Sequence, residues 1–243
     1  VKAPLACNQA GGTITERGEP AMSSPAQRHV QRIQAAQAHD KAVVQGTATP
    51  TATGSAYELM LAKLATDKRS LKAIQSLQAK IELKRKLLPD YAAWIDGVMQ
   101  ADQPAQDDVL ATVMVWHIDT GDIAGALAMA AHMLTHDIKL PEHYQRDLAT
   151  LLVEEIADQA GTADSTVTAD QLLQVGALTQ GRDMPDEVRA KLHKAIGLSL
   201  RDTAPAQAID HLQQALRLNA RCGVTQQIQK LKKQLSATTP PVN

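Results

Sequence analysis

Between Gly54 and Pro89 the chain contains neither glycine nor proline, and its apolar residues recur at helical spacing. Met60, Leu64, Leu71, Ile74, Ile81 and Leu88 follow a three-four rhythm broken only by Asp67, Gln78 and Arg85. That pattern predicts one helix from Ser55 to Leu88, a rod of about 50 Å at roughly 1.5 Å rise per residue. A stripe that long cannot be buried locally, so the rod is expected to pair with another helix or another subunit. Pro89 should end it.

The rest of the chain also reads as helix. Hydrophobic residues make up 44 %, but only three Tyr and two Trp are present and Phe is absent, so the core must be aliphatic. Period-two runs of Val, Ile and Thr are scarce, while Ala, Leu and Gln abound. The expected class is all-α: a long N-terminal helix followed by stacked antiparallel α-hairpins, tetratricopeptide-like in part. Residues 1–22 read as a disordered leader, with Met22 resembling a natural start. Residues 23–54 read as a short basic helix, from about Pro25 to His39, and then a flexible linker. Residues 55–89 form the long basic helix, used for oligomerisation or DNA binding, residues 90–236 the helical-hairpin region, and residues 237–243 a disordered tail. Within the hairpin region helices are expected over Tyr91–Gln100, Gln106–Asp119, Asp122–His136, from Pro141 to about Gln159, from near Thr168 to Gly181, from Asp186 to about Arg201, over Ala204–Leu218 and over Val224–Leu235. Two hairpins resemble each other, one turning at Thr120-Gly121 and one after Leu200. Trp94 and Trp116 are expected to anchor the core.

Net charge is −1, yet the charges are segregated. Residues 22–86 hold 11 Lys and Arg against 4 Asp and Glu, residues 87–188 hold 3 against 18, and residues 189–243 hold 9 against 2. Such alternation separates a surface suited to phosphate from one suited to a basic partner or to self-assembly. Lys68, Lys72, Lys80 and Lys84 fall in one i+4 series interrupted at Ser76, with Arg69, Arg85 and Lys86 close by, and Arg28 and Arg32 share a face of the preceding helix. These nine residues are the candidate DNA contacts. They are expected to grip backbone phosphates through counterion release, with no sequence reading implied.

Signs of catalysis are sparse. No glycine-rich phosphate loop with Lys and Ser/Thr is present, which argues against ATP hydrolysis, and no cofactor is expected. Glu82-Leu83-Lys84 has a form seen in some nucleases, but here it falls on a helix rather than a strand. Asp107-Asp108, Asp119 with Asp122, and Glu154-Glu155 with Asp158 are the acid-dense places, and a metal-dependent endonuclease would draw on some of Asp107, Asp108, Asp119 and Asp122. Helix capping explains them more simply. His132 and His136 are four apart on a helix, the separation for a shared metal, but no third ligand is evident; they read as partly exposed surface residues. No catalytic residue and no metal ligand is therefore assigned. Cys7 and Cys222 are too isolated for a disulfide framework or a zinc site, which suits a reducing compartment. No stretch approaches the roughly 18 apolar residues of a membrane span.

Several segments carry a family resemblance. Met22-Ser23-Ser24-Pro25-Ala26, Tyr57-Glu58-Leu59-Met60-Leu61, Lys84-Arg85-Lys86-Leu87-Leu88-Pro89, the run from Gln106-Asp107-Asp108 through Trp116 and Asp119-Thr120-Gly121-Asp122 to Leu127, and Met184-Pro185-Asp186-Glu187-Val188 onward to Lys194 resemble the small terminase subunit of contractile-tailed temperate phages. The likeness extends from about Met22 to Leu235, and Asp-Thr-Gly-Asp is its most specific part. It implies a protein of the bacterial host cytoplasm that binds double-stranded viral DNA at the packaging site and recruits the large terminase subunit. That subunit is an ATPase and supplies the cutting in most such systems. The resemblance also implies a ring-like homo-oligomer. Small subunits of this kind are sometimes labelled the endonuclease subunit, a label that fits the complex better than this chain. Relatives often end in a long basic, proline-rich tail, where this sequence has Pro240-Pro241-Val242-Asn243. The alternatives are an endonuclease using the central acids and a helical interaction scaffold that does not touch DNA.

Overall fold

A computed structural model describes residues 24–44 and 51–238, and it is all-α, with eleven α-helices and no strand among the described residues. The expectations for residues 1–22 lie outside that range, as does most of the 237–243 tail.

Helix α1 (Pro25–Val44) opens as the Ser24-Pro25 pair suggests. The Ser24 hydroxyl accepts from Gln27 N at 3.2 Å while the Gln27 side chain accepts from Ser24 N at 2.7 Å, a reciprocal cap that satisfies two donors. The helix runs beyond His39 and absorbs Lys41 to Val44, expected as linker. Its buried face, Ala35, Ala38, His39 and Ala42, rests against the helices that follow, and that burial carries the helix past the predicted stop.

The single rod is not formed. Two helices, α2 (Ser55–Lys72) and α3 (Leu77–Leu87), replace it, and a 3-10 turn at Leu88–Asp90 follows. The chain leaves helical geometry after Lys72 and re-enters at Ser76, whose extended backbone and side-chain bond to Ala79 N at 3.3 Å make a fresh N-cap. No proline or glycine forces the break. Both halves instead pack on the same later helix, α5 (Asp108–Thr120), and one straight rod does not follow that route. The α2 stripe is thus buried inside this chain: Tyr57, Met60, Leu64 and Leu71 join the main core. Asp67, the acid that interrupts the stripe, is a buried anchor. It accepts from the Tyr91 hydroxyl at 2.6 Å and from Lys63 Nζ at 2.8 Å, and Lys63 also pairs with Asp90 at 3.0 Å.

Helix α4 (Ala92–Ala101) crosses α1 so closely that a Cβ added at Gly97 would collide with the Arg32 carbonyl oxygen. Four of the five Tyr and Trp residues gather beside this crossing. Tyr57 stacks on Trp94 at 5.8 Å, and Tyr91 meets Trp116 edge-on at 5.8 Å. Both tryptophans are buried, as expected.

Helix α5 and α6 (Ile123–Thr135) form the hairpin expected around Thr120-Gly121, with Gly121 in the left-handed region at φ 85°. Helix α7 begins at Leu148 and ends at Ala160, later than expected after Pro141, because Asp147 caps it by accepting from Thr150 N at 2.9 Å. Then come α8 (Ala169–Leu178), α9 (Asp186–Leu200), α10 (Pro205–Leu218) and α11 (Thr225–Thr238). The α9–α10 hairpin is tight: a Cβ at Gly197 would stand 2.6 Å from Leu212 Cγ. Both hairpins exist as helical pairs; the geometry does not by itself make them tetratricopeptide repeats. One continuous core runs from Ala35 to Leu231, so α1 to α3 are part of the same packed body as the hairpins.

Candidate nucleic-acid interface

The nine candidate cations divide into two groups. Arg28 on α1, Arg69 and Lys72 at the end of α2, and Lys86 at the end of α3 are exposed. None of them ion-pairs with an acid among the described residues. Arg69 bonds only its own helix, giving Nε to the Ala65 carbonyl at 3.3 Å and a terminal nitrogen to the Thr66 hydroxyl at 3.0 Å. Lys80 is half-buried.

The remaining candidates face inward to varying degrees. Lys84 pairs with Asp119 of α5. Arg85 stays exposed but gives a hydrogen bond to the Thr120 carbonyl at 3.1 Å. The C-terminal end of α5 has carbonyls that lack an intrahelical partner and the negative end of a helix dipole, so cations settle there. Lys68 is half-buried, and burial holds its pKa below the ordinary lysine value while Asp108 opposes the shift. Arg32 is half-buried, and its Nε has no partner. Helical periodicity places these residues on a surface helix, yet it does not tell which cations dock on neighbouring elements.

Of the acids considered for metal chemistry, Asp107, Asp119, Asp122 and Glu82 have partners elsewhere. Asp107 is fully buried and caps α5, accepting from Val109 N at 2.7 Å and Leu110 N at 3.0 Å. Its second oxygen accepts from Trp94 Nε1 at 2.9 Å and meets His39 Nε2 at 3.0 Å, which locks α1 to the α4–α5 corner. Asp122 caps α6 through Gly125 N at 3.0 Å and bonds His117 at 2.7 Å. Asp119 is held by Lys84. Glu82 lies exposed on α3 and accepts from Gln78 at 3.2 Å. Capping and packing account for Asp107, Asp119 and Asp122, Glu82 is a solvated side chain, and these carboxylates do not converge on a shared point among the described residues.

One of the two histidines departs from expectation. His132 is buried rather than on the surface, and His136 is half-buried. The third group missing from the sequence pattern is Asp102, at the end of α4. Its carboxylate lies 2.7 Å from His136 Nε2 and 3.4 Å from His132 Nδ1. Among the described residues these three form a set whose ligand atoms lie within 4.8 Å of one another. His-x-x-x-His was the legible half of the signal. Asp102 was hidden, because only the chain path between α4 and α5 brings it there.

Comparison with known proteins decides the family. A family model described as the phage small terminase subunit matches residues 61–187, more than half of the chain. The chain belongs to the phage small terminase subunit family. It is 43 % identical over 224 residues to the "Terminase, endonuclease subunit" of Escherichia phage P2, covering 90 % of this chain and 89 % of that protein. No solved structure matches. The small terminase match begins inside α2 and ends at the start of α9, so it takes in the break between α2 and α3, the cationic ends of both helices and the α5–α6 hairpin. It confirms the resemblance read from the sequence and gives the chain a terminase role in genome packaging.

Proposed function

We propose that this small terminase subunit is a non-catalytic adaptor that holds duplex viral DNA by its phosphates and delivers it to the large, ATP-hydrolysing subunit in the host cytoplasm. The observation that carries this reading is the exposed cations on α1 to α3: Arg28, Arg69, Lys72 and Lys86 stand in solvent without acidic partners among the described residues, and half-buried Lys80 also lies on α3. Arg85 reaches the same solvent from the end of α3. Lys84 and Asp119 serve instead to fasten α3. The acid-rich middle of the chain supplies a surface for a basic partner, and the large subunit is the proposed occupant. Large aliphatic side chains left exposed on the same front helices, among them Val30 and Ile33 on α1, Leu59 at 71 % and Leu77 at 73 %, support self-association through that region.

Purified full-length chain tested on packaging-site duplex provides the check. Binding should weaken as salt rises, and magnesium or manganese should produce no cleavage without the large subunit. Cleavage abolished by Asp119→Asn with Asp122→Asn would overturn the non-catalytic reading, and absence of binding at low salt would leave a protein-interaction scaffold.

A further inference from the structure

We propose that Asp102, His132 and His136 form a binding site for a borderline divalent transition-metal ion of the zinc class, with one coordination position left to water. The residues come from two elements that the sequence separates. His132 and His136 lie one turn apart at the end of α6, and Asp102 is the left-handed residue, φ 49°, that terminates α4. Aspartate is among the few non-glycine residues that adopt this left-handed geometry as single residues. Both elements offer their C-terminal ends, where the helix dipole favours a cation.

The donor set selects the ion. Two imidazoles and one carboxylate suit zinc, cobalt, nickel or copper, whereas magnesium and calcium prefer oxygen ligands. Zinc bonds of about 2.0–2.1 Å set tetrahedral ligand atoms roughly 3.3 Å apart. The 3.4 Å between His132 Nδ1 and the Asp102 carboxylate matches that edge. The 2.7 Å between His136 Nε2 and the same oxygen is a hydrogen bond that must open by roughly half an ångström. Asp102 is exposed and can move that far.

His132 Nε2 is buried without a hydrogen-bond partner, so the outer acceptor that ordinarily orients a metal-bound imidazole is missing. Binding is accordingly about 10–100-fold weaker than at a fully supported site. The bound ion would tie the segment that leads into the Asp107 cap to the end of α6, a structural clamp separate from the cationic front helices.

Full-length protein stripped with chelator and titrated with cobalt(II) gives a direct readout, since four-coordinate cobalt absorbs visibly. One ion per chain is expected, displaced by zinc and untouched by magnesium, with zinc raising the unfolding temperature. Asp102→Asn keeps a residue tolerant of the left-handed backbone, and His136→Gln keeps a polar group at a half-buried position. Each should weaken cobalt binding by at least about 10-fold, while His211→Gln, in a distant histidine pair, should leave it unchanged. Absence of the cobalt bands, or binding equal in all the variants, would overturn the proposal and leave three side chains joined only by hydrogen bonds.

Discussion

Helices α2 and α3 arise from one uninterrupted periodic stretch, yet they are held in opposite ways. Helix α2 sinks Tyr57, Met60, Leu64 and Leu71 into the core and adds a buried carboxylate, Asp67, bonded to Tyr91 and Lys63. Helix α3 buries no residue fully. It leans on the body through half-buried Leu83 and Leu87, the Lys84–Asp119 pair and the Arg85 bond to Thr120. Apolar periodicity announces a helix, but not whether its stripe will be buried or its charges will do the holding. The consequence is functional as well: α2 presents its cations from a fixed platform, while α3 presents its own from a mount that salt can loosen.

The largest expected effect tests the apolar side of that contrast. Leu64→Ala in α2 should cost about 2–5 kcal/mol in denaturant unfolding, and Leu83→Ala in α3, half-buried, about 1 kcal/mol. Equal losses would erase the distinction. Next in size, Asp67→Ala strips the Tyr91 hydroxyl and Lys63 of their partner and should cost about 1–3 kcal/mol; the loss should persist in high salt because the hydroxyl is buried.

Lys84→Gln should cost about 1 kcal/mol or less, and the difference from the parent chain should vanish as salt rises. Hydrogen exchange should then show α3 amides opening well before those of α2. A pH-dependent effect lies outside the pair, in the α9–α10 hairpin. Burial, then neighbouring His211 and the charges of Arg189 and Arg217, pull His193 down to about 4. The unfolded chain takes up that proton near pH 6.5, so stability should be full above that pH and decline as pH falls from about 6.5 towards 4. Thermal unfolding of His193→Gln should lose part of this decline.

Much of the fold was legible because it is written locally. Ser24-Pro25, the Thr168 cap, the Gly121 turn and Pro185-Asp186 are signals whose physics needs only a few neighbouring residues, and the structure places helix ends at or near each of them. The break at Ala73–Ser76 was not legible, since nothing there forbids helix; the competition between one straight rod and two docking contacts on α5 decided it. Asp147 hid the late start of α7 for a similar reason, as Pro141 gave the louder signal. At the interface the cations could be named from spacing, but not their partners: Asp119 and Thr120 lie more than thirty residues from Lys84 and Arg85. Asp102 and the histidine pair show the same limit.

The most direct test of phosphate binding by the front helices is the salt dependence of duplex DNA affinity for the parent chain and for a variant carrying Arg69→Gln, Lys72→Gln, Lys80→Gln and Lys86→Gln. Each lost phosphate contact removes about 0.9 from the slope of log affinity against log salt, so the slope should flatten by about three to four with the fold intact. An unchanged slope in a folded variant would contradict the placement of DNA on α2 and α3.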